Sequence, residues 1–232
     1  MAHTIGTLGT RTSSTGNPIT FSQAVAAGET VLCVMLHVDG GTNRAGGALT
    51  WGGYTMSQAN STQKAAASPE GSTELWYLVN PLARTDTLTI PNTGALIIKY
   101  QVALARAVAG GRSHFRAAAG SNGTSTNPSP GAIASCVAGD IVFATVATGA
   151  TTWAPSAQAG TIIQNTDDGA LGGGTQYSIR GSDGSFTCNW TFGTSDDWGA
   201  VAACFGEVPP RVLQNYMGIV VGNGMSCTEK IR

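Results

Sequence analysis

The stretch Ser185-Phe186-Thr187-Cys188-Asn189-Trp190-Thr191-Phe192 places large apolar residues at every second position, with small polar residues between them. This period of two is the pattern of a β-strand that has one buried face and one wet face. Residues 99–105 show the same pattern, and it predicts that Tyr100, Val102 and Leu104 point inward. The chain is therefore expected to be built from β-strands.

Two further segments, residues 31–38 and 141–146, are apolar at nearly every position. Such runs are typical of central strands that are covered on both faces. The 32 glycines disfavour helices and suit tight turns, and the best candidate for a helical turn is residues 22–27. The predicted fold class is all-β: a two-sheet antiparallel β-sandwich of jelly-roll type with an irregular C-terminal extension.

A faint internal repeat supports this fold. Ala27-Gly28-Glu29-Thr30-Val31 recurs as Ala138-Gly139-Asp140-Ile141-Val142, each opening a buried strand after a turn. Weaker matches pair residues 56–58 with 162–164, 74–78 with 176–179, and 87–90 with 186–190. Two similar halves of about four strands predict a sandwich of two Greek-key units. Chance similarity between Thr- and Val-rich strands is the competing explanation.

Composition limits the partners. Charged residues make up 11% of the 232 residues, and the formal net charge is −1. The basic residues are scattered, so no run of them is suited to successive phosphates, and nucleic acid is not expected as a partner. The longest apolar run, residues 31–36, is too short to cross a bilayer, and the N-terminus lacks the pattern of a signal peptide. We expect no membrane partner, and synthesis in the host cytoplasm.

The residues that carry chemistry do not form a recognisable catalytic pattern. The five cysteines, Cys33, Cys136, Cys188, Cys204 and Cys227, are widely spaced and include no C-x-x-C pair. The sequence contains no G-x-S-x-G turn, H-x-H pair or H-E-x-x-H helix. We therefore expect no catalytic residue, no metal site and no cofactor, and a non-enzymatic protein. A glycosidase with two facing carboxylates is the enzymatic alternative.

Three histidines and several aromatic residues are the remaining candidates for a functional role. His37 lies in a core strand and is predicted to be structural, whereas spacing does not decide the roles of His3 and His114. Carbohydrate is the alternative ligand, since exposed aromatic rings stack on sugars. Residues near turns that could form such a site are Trp51, Tyr54, Trp153, Tyr177 and Trp198. The simpler interpretation is that most of these rings fill the ends of the sandwich.

The order of motifs resembles a known module. Leu49-Thr50-Trp51-Gly52-Gly53-Tyr54-Thr55-Met56 is followed by Glu74-Leu75-Trp76-Tyr77-Leu78-Val79-Asn80-Pro81, and then by a Thr-rich strand at residues 86–90. Ala138-Gly139-Asp140-Ile141-Val142 and a closing strand at residues 198–205 come later. This succession is similar to a jelly-roll module of phage virion structural proteins and large bacterial surface proteins. The resemblance covers roughly residues 17–208, implies an antiparallel sandwich, and brings no catalytic residue with it.

The chain departs from that module at its C-terminus, where residues 209–232 continue beyond the last strand. The predicted organisation is an N-terminal arm at residues 1–16, a candidate for contact with a neighbouring subunit, a sandwich at 17–208, and a C-terminal contact segment at 209–232. In that segment Pro209-Pro210 ends the strand, and the apolar residues after it should not remain in water. The predicted partner-contact residues are Pro209, Pro210, Leu213, Tyr216, Met217 and Ile219.

These observations give two functional expectations. The first is a phage virion structural protein, a capsid decoration (auxiliary head) protein on the virion surface that binds the major capsid protein or other virion proteins. It would self-associate, for example as a trimer. The second is a receptor- or carbohydrate-binding module of a phage tail tip or fibre. The assignment to a virion is what the resemblance implies, and composition does not indicate it.

Overall fold

A computed structural model describes residues 2–9, 12–39, 46–63, 71–94, 96–148, 156–157, 160–166 and 172–208. Over these residues the chain forms nineteen strands, numbered β1 to β19 along the chain, and no helix. No helix long and apolar enough to span a membrane is found in this part of the chain. All strand pairs are antiparallel. The all-β prediction is confirmed.

The strands form four layers. The first sheet has the order β1-β10-β4-β8-β7, with β2 also paired to β10. Its strands are β1 (His3–Leu8), β2 (Thr12–Ser14), β4 (Glu29–Val38), β7 (Ser57–Gln63), β8 (Ser72–Val79) and β10 (Ile98–Ala107). The second sheet has the order β3-β9-β5-β6. Its strands are β3 (Ile19–Val25), β5 (Thr50–Trp51), β6 (Tyr54–Thr55) and β9 (Arg84–Ile90). These two sheets enclose one apolar core.

The later part of the chain repeats this arrangement. The third sheet has the order β11-β19-β13-β16-β15. Its strands are β11 (Arg112–Ser125), β13 (Ile141–Thr148), β15 (Thr161–Thr166), β16 (Gly172–Ile179) and β19 (Asp196–Val208). Two short pairs cover its outer face and enclose a second core. They are β12 (Ala132–Cys136) with β17 (Gly184–Thr187), and β14 (Ser156–Ala157) with β18 (Trp190–Thr191).

The internal repeat is confirmed by this topology. The matched segments of the two halves lie on strands with equivalent positions, for example β4 and β13 at the centres of their sheets. The turns before them also agree, because Gly28 and Gly139 have φ values of 84° and 88°. After each glycine, a carboxylate accepts a 2.7 Å hydrogen bond from the backbone N–H three residues earlier, Glu29 from Ala26 and Asp140 from Val137.

The repeat is larger than the sequence suggested. We expected each half to supply about four strands to one two-sheet sandwich, whereas each half here forms layers of its own. The first and third sheets then pack against each other around a third core, which contains Met35, Leu75, Phe143 and Phe205. β4 and β13 are buried at every position because sheets cover both of their faces, as predicted.

Three local predictions are corrected. The predicted wet face of residues 99–105 is buried, because it packs between the first and third sheets. Residues 22–25 belong to β3 and pair with β9, so there is no helical turn there. Residues 3–8 and 12–14 of the expected N-terminal arm are strands of the first sheet, since their backbone groups pair with β10.

Candidate binding face

The clearest surface feature lies at the end of the molecule where β4 and β13 begin. Pairing places the ends of β8, β10, β16 and β19 there as well. Among the described residues, seven large apolar side chains are exposed, and all but Leu8 lie at this end. We call these six residues the end face: Tyr54, Leu82, Val108, Val137, Ile179 and Val208. Apolar exposure concentrated at one end of a protein makes that end a candidate contact site.

A cleft of about 270 Å³ opens on this face. It is lined by Tyr54 and by residues 78–82, Leu-Val-Asn-Pro-Leu. Tyr54 and Leu82 form its exposed rim, at 46% and 54% exposure. The two motifs that carry the family resemblance therefore meet here: Leu49, Trp51 and Met56 share a core with Trp76, and their neighbours form the cleft.

Arg84 lies beside the cleft residue Tyr54. Its guanidinium lies 5.2 Å from the Trp51 ring and 5.4 Å from the Tyr54 ring, distances at which a cation interacts with an aromatic face. It also donates to the carbonyl of Gly52 at 3.1 Å and lies 2.9 Å from the Asp86 carboxylate. A ring, a cation and a carboxylate are thus held side by side at the surface.

Asn80 joins the two repeats beneath the cleft. Its backbone N–H donates to the carbonyl of Thr30 at 2.7 Å. Its side-chain amide donates to the Ser113 carbonyl at 2.9 Å, and its side-chain oxygen accepts from the Ser113 N–H at 2.8 Å. Asn80 holds a φ of 54°, a left-handed conformation that Asn tolerates better than most residues. The turn is therefore fastened to the first strand of the second repeat.

A buried polar network continues from Ser113. The Ser113 hydroxyl lies 2.7 Å from the Thr30 hydroxyl and 2.8 Å from Nε2 of His3, whose Nδ1 lies 3.2 Å from the Gly139 carbonyl. Burial is the largest influence on His3 and lowers the pKa of its imidazole, although the Gly139 carbonyl and the Glu207 carboxylate act in the opposite direction. These contacts tie β1 to the second repeat at this end of the molecule.

The predicted structural histidine is confirmed. His37 is 1% exposed, and its Nε2 is hydrogen-bonded to the Thr145 hydroxyl across the first and third sheets.

In the described part of the chain, no cluster of His, Cys, Asp or Glu side chains is suited to holding a metal ion. Cys33, Cys136, Cys188 and Cys204 are buried free thiols, and burial raises the pKa values of Cys33, Cys188 and Cys204.

The aromatic residues that were candidates for sugar binding divide into a buried group and an exposed one. Trp51 and Trp198 are buried, and their indole N–H groups donate to the Gln23 carbonyl and the Ser125 hydroxyl. Tyr177 packs against the core between the first and third sheets. These three rings fill the interior, as the simpler interpretation held, and Tyr54 is exposed. Trp153 lies outside the described residues.

The structure brings together residues that the sequence did not single out. Leu82, Val108 and Val137 each follow the end of a strand or its turn, and each stands next to Ala or Pro. A large aliphatic residue beside such a break was the available signal. The predicted contact residues Pro209, Pro210, Leu213, Tyr216, Met217 and Ile219, and also Cys227, lie outside the described residues. Val208, which precedes them, belongs to the end face.

No protein-family model matches the chain, and neither a curated protein nor a solved structure does.

Proposed function

We propose that this chain is a non-enzymatic phage virion structural protein, a capsid decoration protein that binds the shell lattice through one end. The observation that carries the proposal is the end face, where six exposed apolar side chains lie at the point from which residues 209–232 leave the last strand. An apolar face next to an apolar terminal segment favours a contact role. The virion assignment itself rests on the resemblance of residues 17–208.

The strand order supports a jelly roll within each repeat. The chain of the first repeat crosses repeatedly between two facing sheets: β1 and β2 lie in the first sheet, β3 in the second, β4 in the first, and β5 and β6 in the second. β7 and β8 then lie in the first sheet, β9 in the second and β10 in the first, and the second repeat has a corresponding order. Chains that cross repeatedly between two sheets form the double Greek keys of jelly rolls. Jelly rolls are common in capsids and lectins.

Location on the particle tests the proposal. An antibody to this chain, carrying gold, should label the heads of intact particles at regular intervals. Labelling restricted to the tail tip would contradict a decoration role and favour the receptor-binding alternative. A particle without label, purified from cells that express the chain, would contradict both assignments.

A second experiment addresses the contact segment. A chain that ends at Val208 should be lost from purified particles during a wash that retains the full-length protein. The control is Leu8→Ser, which changes an exposed apolar residue away from the end face. Equal retention of the shortened and full-length chains contradicts the anchoring role of residues 209–232.

One observation favours the carbohydrate-binding alternative. The exposed ring of Tyr54 stands beside the Arg84 guanidinium and the Asp86 carboxylate, a combination that can stack on a sugar and hydrogen-bond its hydroxyls. Under this alternative, Tyr54→Ala abolishes binding on a glycan array, and removal of residues 209–232 leaves it intact. Under the decoration proposal, the array shows no ligand for either protein.

A further inference from the structure

The end face is built from positions that are far apart in sequence and is continuous with the last strand. Val208 is the last residue of β19 and pairs with Arg112 of β11. The next residue of β11, Ser113, is hydrogen-bonded to Asn80 at the cleft. Val208, the residue before the segment, therefore lies one strand away from the cleft. Leu82, on the rim of that cleft, is exposed by 54%.

The segment has the right composition for this surface. Residues 209–232 contain seven large apolar residues within ten positions, Val212, Leu213, Tyr216, Met217, Ile219, Val220 and Val221. A fully extended chain of this length reaches about 80 Å, which exceeds the width of a domain of this size. Length therefore does not prevent the segment from reaching either its own end face or that of a neighbour.

The exit from β19 favours a neighbour. A proline disfavours helical backbone at the residue before it, so Pro209 favours the extended backbone that Val208 has in β19. β19 runs toward the end face, so its direction at Val208 points out of its own molecule and not back across its own cleft.

We propose that residues 209–232 of one copy dock on the end face of a second copy, with apolar side chains from the segment in the cleft between Tyr54 and Leu82. This inference rests on the proposed function, whose self-association it specifies. Reciprocal exchange of the segments gives a two-fold dimer, and one-directional docking gives a ring, such as a trimer, when its rotation closes. Either assembly would cover the cleft rim, Tyr54 and Leu82, and leave Val108, Val137 and Ile179 of the end face available to the shell.

Site-specific cross-linking of the full-length protein tests the exchange. The photo-reactive residue p-benzoylphenylalanine replaces Leu82 in one protein and Leu8, the exposed apolar residue away from the end face, in a matched control. Trypsin releases most of the segment as one peptide, residues 212–230. We expect this peptide to be cross-linked from position 82 and not from position 8.

Isotope labelling distinguishes two copies from one. In an equal mixture of ¹⁴N- and ¹⁵N-labelled protein, docking on a second copy gives mixed-isotope cross-links at the frequency of random pairing. Cross-links within a single isotope alone show that the segment covers its own end face, and they overturn the proposal. Equal cross-linking from positions 8 and 82, or none to residues 212–230, also overturns it.

A second variant gives an independent measurement. Leu82→Asp places a charge on the rim, where its exposure allows the fold to persist, and Leu8→Asp is the control. We expect Leu82→Asp to weaken self-association by at least about tenfold in analytical ultracentrifugation, as for the loss of an apolar anchor, and Leu8→Asp to leave it unchanged. Equal association of both variants overturns the proposal. If the cross-links lie within one chain but gold labels the heads, the exchange proposal fails and the proposed function stands. If the cross-links join two copies but gold does not label the particles, the exchange proposal stands and the proposed function fails.

Discussion

Replacing Asn80 tests how the two repeats are fastened below the cleft. Asn80→Ala removes two hydrogen bonds to the Ser113 backbone, of 2.8 and 2.9 Å. At a partly exposed site, each such bond contributes about 0.5–1 kcal/mol net. Alanine must also adopt the φ of 54°, which costs an L-residue about 1 kcal/mol or more. The free energy of unfolding should fall by about 2–3 kcal/mol.

Asn80→Gly separates these two causes. Glycine loses the same hydrogen bonds but adopts positive φ without steric cost. We expect Asn80→Gly to be more stable than Asn80→Ala by about 0.5–1 kcal/mol, after the greater flexibility of glycine in the unfolded chain is included. The matched control is Asn127→Ala, which changes an exposed Asn whose side-chain partner is its neighbour Thr126.

Urea unfolding of the three variants and the parent, followed by tryptophan fluorescence, gives the free energies. Hydrogen exchange gives a local measurement, since the Ser113 N–H donates to Asn80 and should lose protection in both Asn80 variants. The reasoning is refuted if Asn80→Ala costs no more than Asn127→Ala, or if the Ser113 N–H keeps its parental protection. Equal stability of the alanine and glycine variants would refute the contribution assigned to φ.

Three further predictions concern the cores, the pH dependence and the thiols. Phe205→Ala removes a fully buried ring that contacts Tyr77, Phe115 and Phe143. It should lower the free energy of unfolding in urea by about 3–5 kcal/mol. An equal loss in Phe21→Ala, which removes a partly buried ring, would argue against a shared core between the repeats. Burial lowers the pKa of His3 in the folded protein, so the unfolded chain binds more protons than the folded one as pH falls through about 6.5 and below. The parent should therefore lose stability in this pH range relative to His3→Gln. Parallel pH profiles of stability for the two proteins would contradict this. Burial raises the pKa values of Cys33, Cys188 and Cys204, so these thiols should react with Ellman's reagent at pH 8 only after unfolding in guanidinium, and rapid labelling of any of the three in the native protein would contradict their burial.

The strands were predictable because their signal is local. The continuous apolar runs identify β4 and β13 as central strands. The alternation at residues 186–192 identifies a half-buried segment, but the structure divides it into β17 and β18, which pair with different strands. The repeated turn at Gly28 and Gly139 was also visible, since a glycine at positive φ before a carboxylate is a short-range device. In each case, neighbours in sequence determine the conformation.

Which surfaces the strands cover was not predictable in this way. Tyr100 and Lys99 are neighbours on β10, and the sequence assigned one to the core and the other to water, yet both are buried. Trp51 and Tyr54 lie in one hairpin, and one fills the core while the other is exposed. The reason is that a second sheet packs on the far face of β10, through contacts between residues more than thirty positions apart. The sequence by itself determined the strands and their repeat, through side-chain alternation and turn chemistry. Only the tertiary structure decided how the layers stack and which residues form the end face. Both depend on contacts between segments that are distant in sequence, and a local sequence pattern contains no information about such contacts.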